Sequence, residues 1–285
     1  MNYKKTIEDK LNDFIPYANN GQDSVIDAMK YSLMIGGKRL RPTLVFEFAE
    51  ALGESKENAL PFAAAIEMIH TYSLIHDDLP CMDNDNMRRG QPSCHMKFGE
   101  DTALLAGDGL LTLAFETIAN AKNVDLSVIV ECSKILAVNA GVSGMIGGQV
   151  IDLKYENMSV TIDEISAMHM LKTGALIEAA CLMGCAVGKA TAEQKNAASV
   201  FAKKLGLAFQ IQDDILDKIG DSSVLGKPIG SDEENNKNTY VTLIGLEKSK
   251  ELVKKLTDEA IFALSAFENA DKIIELANEL VNREF

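Results

Sequence analysis

The sequence predicts an all-helical protein, on three observations. Apolar residues recur at helical spacing along most of the 285 residues, and no alternating strand pattern bounded by hairpin turns stands out. The composition, rich in Ala and Met with six prolines and no tryptophan, favours helices over a sheet.

Each element has its own signal. Val25, Met29, Leu33 and Met34 form one apolar stripe, which Gly36-Gly37 ends. Pro42 suits the first turn of the next helix, which runs through Leu44, Val45, Phe48 and Leu52 to Gly53. A third helix is expected to follow Pro61 and to carry Ala64, Met68, Tyr72 and Ile75 as far as Pro80. Asp101 is the expected N-cap of a helix over 103–121. Further helices are expected over 126–151, 162–187, 192–219, 241–267 and from 272 onward. No linker or internal repeat divides the chain, so 1–285 reads as one domain.

A net charge of −14 argues against nucleic acid and anionic membranes as partners. It does not exclude a small anionic substrate held by basic residues gathered in one cavity. The five cysteines form no C-x-x-C pair, fit a reducing compartment and make a structural zinc site unexpected. The N-terminal MNYKKTIEDK has no apolar core, and the apolar stretch 135–151 carries Asn139, Ser143 and Gln149. A secretory signal and membrane insertion are therefore not expected, and the chain reads as cytoplasmic.

Two acidic clusters stand out: Asp77 and Asp78 with Asp83, and Asp213 and Asp214 with Asp217. Asp213 and Asp217 are one turn apart on a helix, ~6 Å. Like charges ~4 Å apart repel by roughly 4 kcal/mol at an effective dielectric of ~20. Local stability therefore does not explain them. They could form a solvated acidic face, but both follow strongly apolar segments, and carboxylates on a buried face need a metal or a basic partner. Asp77 and Asp83 cannot share a straight helical face; Pro80 would break the helix and let Asp83 turn back toward Asp77. Ligands that are all carboxylate oxygen suit Mg²⁺.

Basic residues lie near these acids in the sequence. Gly36-Gly37-Lys38-Arg39-Leu40-Arg41 occupies a turn before a helix, Arg88-Arg89 follow the first cluster, and Lys172-Thr173-Gly174 interrupts an apolar helix. Arginine grips phosphate oxygens bidentately. Gly220–Lys227 is not a P-loop, because the glycine spacing is wrong and Pro228 stands where Ser or Thr is required. Glu67 and His70 match half of a di-iron motif whose second copy is missing. His70 lies seven residues before Asp77, nearly on the same helical face.

These motifs together resemble the trans-prenyltransferase family, in particular its bacterial farnesyl diphosphate synthases. The resemblance runs nearly end to end: G-G-K-R-L-R-P at 36–42, I-H-T-Y-S-L-I-H-D-D-L-P-C-M-D at 69–83, R-R-G at 88–90, G-G-Q-V-I-D-L at 147–153, K-T-G at 172–174, F-Q-I-Q-D-D-I-L-D at 209–217 and G-K-P-I-G-S-D at 226–232. It implies a homodimeric helical bundle of the isoprenoid synthase type around a central cavity. It also implies condensation of isopentenyl diphosphate with an allylic diphosphate, with three Mg²⁺ ions when substrate is bound.

By the same resemblance Asp77, Asp83 and Asp213 would hold Mg²⁺, with Asp78, Asp214 and Asp217 assisting. Gly37, Lys38, Arg41, His70 and Arg89 would bind isopentenyl diphosphate. Arg88, Lys172, Thr173, Gln210 and Lys227 would bind the allylic diphosphate, and Lys172, Thr173 and Gln210 would serve catalysis. Tyr72, ~7.5 Å down the helix from Asp77, would floor the elongation pocket beside the small Ser73. With the two extra residues of the first acidic motif, it points to a C15 product over C20. A class I terpene cyclase would not need the site at 37–41. A silent synthase subunit would typically have lost aspartates from one motif.

Overall fold

The computed structural model describes residues 3–17, 21–156, 158–219 and 239–281. Lys227 and the whole 220–238 stretch lie outside the described residues. The chain is all-α, as expected. Its helices are α1 (Tyr3–Leu11), α2 (Asp23–Met34), α3 (Leu40–Ala51), α4 (Lys56–Asp77), α5 (Cys94–Phe98), α6 (Glu100–Ala119) and α7 (Leu126–Ala140). Then follow α8 (Met145–Tyr155), α9 (Ile162–His169), α10 (Ala175–Val187), α11 (Ala192–Ile219), α12 (Tyr240–Ile244), α13 (Leu246–Ala263) and α14 (Asp271–Val281).

The bundle is built around α10, which is apolar except for Glu178, a partner of Ser199 and Lys203 of α11, and buries eleven of its thirteen residues. It packs against α3, α4, α7 and α11. Small residues allow the close approach: a Cβ on Gly184 would stand 2.6 Å from the Val45 carbonyl oxygen and 2.7 Å from Phe48 Cβ. Phe48 then meets Phe201 of α11 and Phe267 edge-on, at 5.6 and 5.4 Å between centroids. One apolar cluster continues from Tyr3 to Val281.

Several element boundaries differ from expectation. α4 begins before Pro61, because Ser55 caps it by accepting from the Asn58 amide; the proline is absorbed near the start of the helix. Asp101 is inside α6 and bonds to its neighbour Thr102; Gly99, at φ 91°, takes the cap position. The expected helix over 126–151 is broken at 141–144 into α7 and α8, and Gly245 (φ 84°) separates α12 from α13. Met170–Gly174 joins α9 to α10 as a π-helical turn. The R-R-G motif forms a hairpin, β1 (Met87–Arg88) paired antiparallel with β2 (Gln91–Pro92). Arg89 and Gly90 both have positive φ, as its two-residue turn requires.

Glu100–Ala119, the α7–α8 stretch Leu126–Tyr155 and Ile162–Val187 are each long and apolar enough to cross a membrane by length and composition. Within the fold they differ: α10 ends the last of these in the core, while Leu126–Tyr155 is only 22% buried.

The turn between α2 and α3 is held by a buried ion pair. Arg39 and Glu67 are each 2% exposed; Arg39 donates to Glu67 at 2.6 Å, to Glu8 at 3.2 Å and to the Leu33 carbonyl at 2.7 Å. This also gives Glu67 a structural partner in place of a metal. Arg39→Ala would leave a buried carboxylate uncompensated, at an expected cost of about 3–5 kcal/mol. Urea unfolding measures it, and a loss below about 1 kcal/mol, the scale of a surface pair, would contradict the assignment.

Candidate active site

The first acidic motif caps the end of α4. The helix stops at Asp77, ahead of Pro80, and the chain reverses so that the Asp83 amide donates to the Asp77 carbonyl at 2.8 Å. Asn84, with φ 52°, completes the reversal by donating its amide to the Leu79 carbonyl. The expected return of Asp83 to Asp77 is thus made through the backbone. Burial, reinforced by the negative charge of Asp83, pushes the Asp77 carboxyl up to about 6, against the pull of Lys172.

Asp78 is oriented differently. It is 2% exposed and forms a fork with Arg88, which donates through Nε to both carboxylate oxygens and through Nη2 to one. Burial opposes the charge on Arg88, but Asp78, Asp85 and Asp77 outweigh it and hold the guanidinium above its ordinary range. The pair draws the hairpin against the end of α4.

Arg89, next in the chain, reaches the Gly36 carbonyl. A Cβ on Gly37 would stand 2.5 Å from Arg89 Nη1, so only glycine admits the guanidinium there. Arg41 is half-buried, and its Nε atom, itself buried, has no hydrogen-bond partner. Burial lowers it to about 10, with Glu67 opposing and Arg89 adding to the fall. Burial and then the charges of Arg41, Arg89, Arg39 and Arg88 push the His70 imidazole well below its ordinary pKa, so it is neutral. Lys38 lies over the Phe209 ring, 5.7 Å from the centroid, and so links this turn to α11. Gly37, Arg41, His70 and Arg89 are thus coupled in one region where the arginines outnumber the acid that acts on them, Glu67, and Lys38 reaches from the same turn to α11.

The second acidic motif is tied to the π-turn. Thr173 Oγ1 donates to Gln210 Oε1 at 3.0 Å, and Gln210 Nε2 donates to Asp213 Oδ2 at 3.2 Å. Asp214 accepts the Tyr240 amide at 2.8 Å, anchoring the start of α12. Asp217 lies one turn further along α11. Lys172 Nζ donates to Asp152 Oδ2 at 2.6 Å. Burial opposes this ammonium, but Asp152, Asp77 and Asp83 hold it above the ordinary lysine range. Lys172 thus couples electrostatically to the first acidic motif, while Thr173 reaches the second through Gln210.

Asp152, the sixth residue of the G-G-Q-V-I-D-L stretch at 147–153, is a further member of the site. Its pairing with Lys172 needs α8 to lie on the π-turn. Gly148 makes that contact: a Cβ there would fall 2.2 Å from the Lys172 amide nitrogen. His169 is a second addition. It stacks on Tyr240 at 6.1 Å, and neither ring nitrogen has a hydrogen-bond partner.

Among the described residues no three acidic, histidine or cysteine side chains already converge as a metal cluster. The donor set nonetheless fits Mg²⁺, which takes one or two carboxylates and completes its octahedron with water and phosphate oxygens. The raised Asp77 carboxyl, crowded by Asp83, is in the state that a cation would relieve.

The all-helical bundle thus links both acidic motifs to the Lys172–Thr173 turn and ties the first of them, through Asp78–Arg88, to a cluster of arginines, a distribution of charge that suits a small polyanion and divalent cations. The polyprenyl synthetase family model matches residues 22–280, and the chain belongs to that family. Membership makes it a trans-prenyltransferase. It is 46% identical over 283 residues to a geranylgeranyl diphosphate synthase of Cyanophora paradoxa, covering 98% of this chain and 94% of that one. It is 40% identical over 284 residues to a farnesyl diphosphate synthase of Haemophilus influenzae, covering 98% and 96%. The crystal structure of a Helicobacter pylori geranyltransferase complexed with magnesium and isoprenyl diphosphate superposes with a TM-score of 0.84, at 35% identity and 98% and 92% coverage.

The raised Asp77 has a stability consequence. A carboxyl whose folded pKa lies above its unfolded value contributes most below the ordinary carboxylate range and loses that contribution as pH rises through about 6. In metal-free buffer, Asp77→Asn is therefore expected to unfold at a higher temperature than the parent protein at pH 7, with the gap closing toward pH 4. Calorimetry checks this; a less stable variant at pH 7 would contradict it.

Proposed function

We propose that the chain condenses isopentenyl diphosphate with dimethylallyl and then geranyl diphosphate, giving (2E,6E)-farnesyl diphosphate and diphosphate. The observation that carries this reading is the Asp78–Arg88 fork, which joins a carboxylate turn to an anion-deficient pocket of Arg41, Arg89 and neutral His70. We read residues 1–285 as one prenyl diphosphate synthase domain.

Asp77, Asp83 and Asp213 would hold magnesium, three ions with substrate bound, and Asp78, Asp214 and Asp217 would support them. The magnesium of the Helicobacter pylori complex accords with this. When bound, it neutralises the diphosphate charge that otherwise opposes departure. Gly37, Lys38, Arg41, His70 and Arg89 seat isopentenyl diphosphate. Arg88 and Lys172, with Lys227 in the undescribed stretch, grip the allylic diphosphate; Thr173 and Gln210 align it. These cations stabilise the electron pair that moves onto the leaving diphosphate as the allylic C–O bond breaks. The isopentenyl double bond then attacks the allylic cation, and the proton released passes to the departing diphosphate. Water must be excluded while the cation exists.

Product length rests on Tyr72, 5% exposed with its hydroxyl unpartnered, and on Ser73, which bonds back to the His70 carbonyl. A second reading, a C20 product, is favoured by the similarity to the Cyanophora paradoxa enzyme.

We also read the chain as a cytoplasmic homodimer. Val130, Val138, Val142 and Val150 are at least half exposed on α7, α8 and the turn between them, forming an apolar face that a second copy would cover. Sedimentation equilibrium is expected to give twice the chain mass of 31.0 kDa. A monomer at micromolar concentration would contradict this.

The central test is incubation with labelled isopentenyl diphosphate, geranyl diphosphate and Mg²⁺, followed by product sizing. Farnesyl diphosphate is expected, with elongation abolished by a chelator; no elongation in the presence of metal would overturn the reading. Tyr72→Ala is expected to lengthen the product, whereas unchanged C15 output would remove Tyr72 as the floor.

A further inference from the structure

Tyr72 has no hydrogen bond to fix it. Its hydroxyl is buried without a partner, and burial followed by the charge of Asp77 pushes it up to about 12, so it stays neutral and makes no ionic contact. An aromatic ring that is to end a growing chain at one length must nevertheless be held at one angle. The ring contact that supplies this is His76, one turn further along α4. The two rings meet edge to face, 5.7 Å between centroids and 76° between planes.

His76 is itself fixed from outside the helix. Its Nε2 lies 3.0 Å from the Leu104 carbonyl oxygen of α6, to which it donates in the tautomer protonated there. Asp108 Oδ1 is 4.0 Å from the same nitrogen. The Nε2 edge of the ring lies against Gly107: a Cβ on that glycine would meet Nε2, Cδ2 and Cε1 of His76, all closer than 3.0 Å. Gly107 sits mid-helix with ordinary backbone geometry, where alanine would be the better helix former by about 1 kcal/mol. Its use is therefore steric. The three atoms nearest to that Cβ all belong to the His76 ring, so the glycine accommodates this side chain and no backbone.

We propose that His76, seated in the notch made by Leu104 and Gly107, is a positioning residue that sets the angle of Tyr72 and so the product length. The proposal rests on the reading of Tyr72 as the pocket floor. It makes α6 a determinant of specificity although none of its side chains needs to touch the growing prenyl chain. A methyl group at 107 displaces the His76 ring, which in turn releases Tyr72.

The test is product sizing for Gly107→Ala, His76→Ala, Tyr72→Ala and the double variant Tyr72→Ala/His76→Ala. Gly107→Ala and His76→Ala are each expected to raise the C20:C15 ratio about three- to tenfold, the effect of losing one edge-to-face ring contact. The double variant is expected to give the same ratio as Tyr72→Ala alone, because His76 acts through that ring. A residue that served only stability would lower the rate without moving the ratio. If Gly107→Ala fails to fold, His76→Ala decides the matter. If Tyr72→Ala lengthens the product while both other single variants keep the parent ratio, or if the double variant adds to Tyr72→Ala, this proposal is overturned and the floor assignment stands. If Tyr72→Ala itself leaves the product unchanged, the floor assignment fails and takes this proposal with it.

Discussion

The fork between Asp78 and Arg88 holds the two halves of the site in register. A carboxylate with 2% exposure at a helix end is tolerable only with a partner, and Arg88 supplies three donor contacts to it. Because Arg88 is on the first strand of the hairpin, the same pair places Arg89 at its turn, against Gly36 and Gly37. On the other side of Asp78, Asp77 receives the backbone of Asp83. One ion pair thus fixes the spacing between a carboxylate turn and an arginine pocket. Removing Arg88 would leave a buried carboxylate, and removing either partner would unfasten both halves.

The rest of the site is built from groups that are individually uncomfortable. Asp77 is raised by burial, while Arg41, Arg89 and His70 are lowered by burial or by each other. In a chain of net charge −14 this concentration of cations is the reverse of the surface. Such a site is complementary to what it lacks: cations on the acidic side, phosphate oxygens on the basic side. The strain is carried by an apolar core, in which α10 buries eleven of its thirteen residues and its small residues admit α3 at close range.

Much of this was legible in the sequence, because the signals were local. The all-helical class followed from spacing, and Pro80 between Asp77 and Asp83 implied the reversal that their backbone bond makes. What was not legible depends on neighbours far along the chain. The K-T-G interruption marks the place of the π-turn at Met170–Gly174 but not its geometry, which brings Thr173 to Gln210. Asp152 is twenty residues from Lys172, and only the fit of Gly148 against the turn brings them together. Arg39 read as one of several basic residues, whereas it is structural and buried on Glu67. The R-R-G hairpin is too short for an alternation pattern, and Pro61 misplaced a boundary because the Ser55 cap outweighs one missing amide.

The division of labour among the aspartates is open to direct observation. Crystals soaked with Mn²⁺ and a non-hydrolysable allylic diphosphate analogue locate the metal by anomalous scattering. Manganese is expected at the carboxylates of Asp77, Asp83 and Asp213, with the analogue's phosphate oxygens in its coordination sphere and Asp78 still forked to Arg88. Manganese bound to Asp78 with Arg88 released, or the analogue bound with no metal at these carboxylates, would contradict the site described above.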